Sequence, residues 1–134
     1  MAAVMTATRV NYPHGKGSRI TLDWTSHTDG SVALSICDAL GYSSGELIGK
    51  LIHVETSPGA LGVAATNPPD SYALSLVDSY SLDILGGAGA GRSATVAERI
   101  DFVQPLQLHD DLTLTISGAG SGNQGRVILS LTEV

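Results

Sequence analysis

Few residue groupings in this 134-residue chain could carry chemistry, and each can be weighed on type and spacing. The most suggestive is Gly86-Gly87-Ala88-Gly89-Ala90-Gly91-Arg92-Ser93, which follows an apolar segment and approaches the phosphate-binding pattern G-x-x-x-x-G-K-[ST], with Arg92 in the lysine position. Such loops work because backbone amides and a lysine surround the phosphates at a helix N-terminus. Here the lysine is missing, the following residues are poor helix formers, and no alternating βαβ pattern surrounds the loop. It reads as a surface connection. The overlapping Gly89, Gly91 and Ala94 resemble a dinucleotide fingerprint still more weakly, and fail on the same context.

The four histidines, His14, His27, His53 and His109, are not paired at metal-ligand spacing. His27 and His109 fall in expected turns, and His53 on an expected strand. The cluster His109-Asp110-Asp111 supplies too few oxygens for calcium and follows no EF-hand spacing, so it reads as a solvated turn. Cys37 is the single cysteine, which excludes an intrachain disulfide; it reads as a small buried hydrophobe. Serines are plentiful, but no G-x-S-x-G elbow occurs, the carboxylates are scattered, and Arg92, Arg99 and Arg126 form no local basic patch. No catalytic, cofactor-binding or metal-binding residue is assigned, and the chain is expected not to be an enzyme.

The dominant signal is alternation, which puts successive strand side chains on opposite faces. Ile20, Leu22 and Trp24 alternate with Arg19, Thr21, Asp23 and Thr25, and Val32, Leu34 and Ile36 repeat the pattern. With Asp29-Gly30 between them, suited to positive φ, residues 18–37 read as a β-hairpin with Trp24 inward. Residues 46–55 hold Leu47, Ile48, Leu51, Ile52 and Val54; helical spacing competes with Gly49 and the β-branched residues, and a strand is expected. The Pro- and Gly-rich stretch 57–70 reads as a long contact loop. Residues 72–84 read as a second hairpin, with Tyr72 and Tyr80 inward, and Gly86–Gly91 as a flexible connection. The segment 92–102 favours an extended chain. Residues 112–117 and 127–132 read as strands joined by a long glycine-rich hairpin loop at 118–125, the last strand reaching Val134.

The expected architecture is therefore all-β: one antiparallel β-sandwich or jelly-roll-like barrel of about seven or eight strands over residues 18–134. Residues 1–17 show little alternation and read as an extended N-terminal arm. The size suits one domain, with roughly two-thirds of the unfolded surface buried on folding. Sixteen glycines, one Trp, four Tyr and one Phe make the core light, so oligomerisation or docking is expected to add stability. The formal charge of −6 is repelled by phosphate backbones and anionic membranes, so neither nucleic acid nor membrane is an expected partner. No run approaches the ~20 apolar residues of a membrane helix, and no export signal is visible.

Three stretches together are similar to a family. They are 20–26 (ITLDWTS); 72–78 (YALSLVD) through 85–95 (LGGAGAGRSAT); and 112–117 (LTLTIS) with 125–129 (GRVIL). In this order they resemble small proteins encoded among the structural genes of tailed bacteriophages, over roughly residues 18–131. The 90–95 patch, AGRSAT, is the most distinctive part. The resemblance implies a virion component made in the host cytoplasm, such as a capsid decoration (cement) protein. Its implied partners are the major capsid protein or other virion proteins, with a homo-oligomer as its own state. It carries over no functional residue. A tail, neck or fibre part, or a carbohydrate-binding module, is the alternative; Tyr42 is then the one aromatic expected at the surface.

Overall fold

The computed structural model describes residues 2–13, 16–43, 47, 49–59, 68–69, 71–93, 96–108 and 111–132. The chain is an all-β sandwich of two antiparallel sheets. The strands are β1 (Val4–Asn11), β2 (Ser18–Thr25), β3 (Val32–Ser35), β4 (Gly49–Pro58), β5 (Ala73–Val77), β6 (Glu98–Leu108), β7 (Thr113–Ser117) and β8 (Gln124–Thr132). One short helix, α1 (Ile36–Leu40), follows β3. The larger sheet has the order β1-β2-β8-β4-β6 and the smaller β3-β7-β5.

In β2, β5, β7 and β8 the alternation read from sequence assigns the faces correctly. Ile20, Leu22 and Trp24 of β2 and Val127, Leu129 and Leu131 of β8 point inward from the large sheet. Leu74, Leu76, Leu114 and Ile116 meet them from the small one. Removing each such Leu, Ile or Val side chain from water is worth about 1.5–3 kcal/mol. The two layers share one core, which includes Trp24 against Tyr72, with ring centroids 5.7 Å apart and planes tilted by 56°.

The three expected hairpins are corrected. β2 pairs with β1 and β8, whereas β3 pairs with β7 in the opposite sheet. β5 pairs with β7, and residues 80–84 form turns with an isolated bridge from Val77 to Asp83. β7 and β8 lie in different sheets. From β2 onward, each successive strand crosses to the other sheet. Alternation specifies which face is buried; it carries no information on which strand lies alongside.

The crossing turns are held by each other. Gly30, at φ 84°, approaches the 118–123 loop, and its carbonyl accepts from Ala119 N at 3.1 Å. A Cβ on Gly30 would sit 2.9 Å from Gly120 N, so the contact requires glycine. Fully buried Ser26 donates to Gly120 O at 2.5 Å and accepts from Asn123 N at 3.0 Å.

Residues 4–11, read as part of an extended N-terminal arm, form an edge strand paired with β2 over eight consecutive positions. Small and polar residues on β1 hide an alternation that the fold makes plain: Met5, Ala7 and Arg9 are half-buried, and Val4, Thr6, Thr8 and Val10 are exposed. The chain turns into β2 through Tyr12 N donating to Gly17 O at 2.9 Å.

β4 is a strand as expected, with a bulge between Leu51 and His53. The bulge lets Leu51 and Val54 both face the core although their numbers differ in parity, which explains the mixed periodicity of this segment. The contact loop expected at 57–70 begins later, because β4 runs to Pro58; residues 60–67 and 70 lie outside the described residues.

β3 also ends earlier than expected. Ser35 caps α1, its hydroxyl accepting from Asp38 N at 3.1 Å, and Gly41 closes the helix at φ 76°, ψ 25°. The signal was present as Ser35-x-x-Asp38 with Gly41 after the last turn, hidden by the even spacing of Val32, Leu34 and Ile36.

Candidate functional site

The polar groups singled out from sequence divide into those the fold uses for its own backbone and those left at the surface. Asp111 belongs to the first set. Its carboxylate accepts from the Ser35 hydroxyl and from Cys37 N at 3.0 Å, so the loop before β7 anchors the start of α1. The solvated acidic turn expected there is corrected for Asp111; His109 and Asp110 lie outside the described residues. Cys37 is buried as expected, and burial, with Asp111 nearby, pushes its thiol up to about 12. A thiol so far from ionising is a poor nucleophile.

Asp83 organises the 78–92 segment. Its Oδ1 accepts from Leu76 N at 3.1 Å and Leu85 N at 3.0 Å, and its Oδ2 from Gly87 N at 3.0 Å. Asp78 Oδ1 accepts from Tyr80 N at 2.9 Å and Leu82 N at 3.0 Å.

The phosphate-loop resemblance dissolves in this geometry. The amides of Gly86, Ala88 and Ala90 donate to carbonyls within the same segment, and Gly87 donates to Asp83. Arg92 Nη2 donates to Ala88 O at 2.9 Å and Ala90 O at 3.3 Å. The amides of Gly86, Gly87, Ala88 and Ala90 and the Arg92 Nη2 are thus turned to partners inside the segment and do not converge on an anion, and the next regular element is β6, not a helix. The glycines serve packing instead. Gly89 lies against the Leu74 carbonyl with no room for a Cβ, and its own carbonyl accepts from Leu74 N at 2.9 Å. The segment thereby covers the outer edge of β5.

The histidines are spread apart. His27 sits in the exposed turn as expected, with Nδ1 3.2 Å from Asp29 Oδ1. Hydrogen bonds from the Ser31 hydroxyl and amide, helped by His27, hold Asp29 below the usual carboxylate range. His53 is on β4 as expected, its Nε2 3.7 Å from Glu55 on the outer face. His14 lies outside the described residues. Among the described residues, no three His, Cys, Asp or Glu side chains gather where they could hold a metal ion. The outer face also carries Arg126 in a two-pronged pair with Asp23, at 2.6 and 3.1 Å, which raises the guanidinium further above its ordinary value.

Trp24 and Tyr72 are inward as expected, and burial raises the Tyr72 phenol to about 12. Tyr42 is half-buried against the core, so the expectation that it lies at the surface is corrected. Tyr80 reverses the other way. Read as inward, it is 83% exposed, with Leu82 at 63%, because 80–84 is a turn that projects rather than a strand.

Tyr80 and Leu82 border a cleft of about 260 Å³ that also takes in Leu106, Gln107 and Leu108 of β6. Its polar groups are largely committed: Asp78 and Asp83 to backbone amides, and Gln107 Nε2 to the carbonyls of Gly49 (3.2 Å) and Leu108 (2.9 Å). The cleft offers apolar contact more than hydrogen bonding. Further apolar surface lies at the two edges of the large sheet. Val4, Val10 and Tyr12 are exposed along or just after β1, and Val103 is fully exposed on β6. Between the pairs Leu51–Leu106 and His53–Asp101, β4 carries one residue and β6 carries 102–105, so Val103 sits on a protrusion.

Among the described residues, no helix is long and apolar enough to cross a membrane. Comparison with protein-family models, with curated proteins and with solved structures finds no match.

Proposed function

We propose that this protein is a non-enzymatic structural component of a bacteriophage particle, most specifically a capsid decoration protein that binds the assembled head and stabilises it. The supporting observation is where the exposed apolar side chains lie. Val4, Val10 and Tyr12 at one edge, Val103 at the other, and Tyr80 with Leu82 at a turn are surfaces suited to protein contacts. The carboxylates nearest the cleft hold backbone amides in place, which suits a rigid building block. The resemblance of residues 18–131 to tailed-phage structural proteins supplies the particle, and with it the major capsid protein as partner and the virion as location. A homo-oligomer fits a shell that presents repeated sites.

Purified protein added to expanded heads lacking it is expected to bind at a copy number matching the capsid lattice and to raise the melting temperature of the head. Recovery at only a few copies per virion rejects decoration and leaves a tail, neck or fibre position. The carbohydrate-binding alternative draws on Tyr80 beside the cleft. The commitment of Asp78, Asp83 and Gln107 to internal hydrogen bonds argues against it, because sugar hydroxyls need available partners. A glycan array without hits removes that alternative.

A further inference from the structure

We infer that β1 is a two-fold dimerisation edge, pairing antiparallel with β1 of a second copy, centred on Ala7, to join two five-stranded sheets into one. This rests on the homo-oligomer part of the proposal above and assigns it a surface and a register.

An edge strand presents a row of backbone amides and carbonyls that template another strand, and proteins usually blunt it. The other edges here are blunted. β6 carries Pro105, the 102–105 protrusion and the Arg99–Asp101 ion pair at 2.9 Å. β5 is covered by the 78–92 segment, through Leu74 N to Gly89 O and Ile84 N to Leu76 O. β3 has only four residues before α1 begins. β1 is regular over eight residues, contains no proline, and keeps register with β2 without a bulge. Its single charge, Arg9, is half-buried, with Nε donating to Ser18 Oγ at 3.2 Å.

The occupant is indicated by the strand's own residues. Val4-Met5-Thr6-Ala7-Thr8-Arg9-Val10 is nearly palindromic about Ala7. In a two-fold antiparallel pair centred there, Val4 faces Val10 of the other copy, Thr6 faces Thr8, and Ala7 faces itself. Met5 faces Arg9, so the two arginines stand on opposite sides of the axis. On the outer face this makes two Val–Val and two Thr–Thr pairs, both favourable cross-strand combinations. A strand of another protein would not inherit that matching.

Sedimentation and light scattering of the wild-type chain are expected to give twice 13.8 kDa, dissociating on dilution. T6K/T8K sets lysines opposite lysines and T6E/T8E sets glutamates opposite glutamates. Each is expected to raise the dissociation constant about tenfold or more, and an equimolar mixture to restore the dimer. All four substitutions are at exposed outer-face positions, and thermal melting checks that each variant folds. Independently of those variants, Ala7→Cys is expected to crosslink to itself on mild oxidation, because directly opposed Cβ atoms lie about 4.5–5.5 Å apart, while Val10→Cys is not. A monomer at every concentration, a dimer untouched by both charge variants, or crosslinking at Val10→Cys but not Ala7→Cys would overturn the inference. A monomer that still decorates heads rejects the dimer alone; a dimer that ignores heads rejects the particle reading alone.

Discussion

Gly125 is the position where one methyl group should disturb the core most directly. It faces Trp24 across the β2–β8 ladder, and the indole lies on its backbone. A Cβ there would meet Trp24 Cζ2 outright, with Cε2 at 2.5 Å and Nε1 at 2.9 Å. Ordinary contact begins at about 3.4 Å, so in Gly125→Ala the ring or the strand must shift by roughly an ångström. Trp24 has little room to move, being buried and packed against Tyr72. Overpacking of this kind costs about 1–3 kcal/mol. At this chain length that corresponds to a fall in Tm of roughly 3–10 °C. Trp24 is the single tryptophan, so its fluorescence reports the same event locally, and altered native emission is expected alongside the lower midpoint in urea. Gly41→Ala is the control: nothing lies within 4 Å of its Cβ, but φ is 76°. It should cost about 1–2 kcal/mol through backbone strain and leave the emission unchanged. If Gly125→Ala melts within a degree of wild type with unaltered emission, the steric account of this strand pair is wrong.

Asp83→Ala removes the acceptor for three amides and should cost about 1–3 kcal/mol, with limited proteolysis newly cutting within 78–92. Asp111→Ala should cost about 1–2 kcal/mol in urea titration and speed thiol labelling of Cys37, because α1 loses its anchor. Stability should also fall in alkali. Cys37 and Tyr72 have folded values of about 12 against ordinary values of 9.0 and 10.0. Their contribution is full below pH 9, where both states hold the protons. It is lost as pH rises toward 12, because the unfolded chain releases protons that the folded chain retains. Equilibrium unfolding across that range checks the sign; a flat profile would show that neither group is held protonated by the fold.

Which side of a strand is buried was legible in the residues, because alternation over Ile20-Leu22-Trp24, Leu112-Leu114-Ile116 and Val127-Leu129-Leu131 is a local consequence of the pleat. The inward Trp24 and Tyr72 followed from the same rule. It failed at Tyr80 and Leu82, where alternation continued past the point at which Asp78 and Asp83 turn the chain by accepting backbone amides. The β1 strand was not legible: residues 4–11 looked like an arm, because their small and polar side chains mute the alternation that the pairing with β2 reveals.

The residue order by itself determined that this chain is all-β and which strand faces meet in the core, since those depend on the two-residue repeat within a few positions. Strand partnership was decided only in three dimensions. Asp29-Gly30 and 118–123 suit hairpins taken alone, yet their contact with each other and with Ser26 sends β3 and β8 to opposite sheets. That choice depends on contacts between segments more than ninety residues apart, as in the bond from Ser26 to Gly120, and no short window of sequence contains both halves.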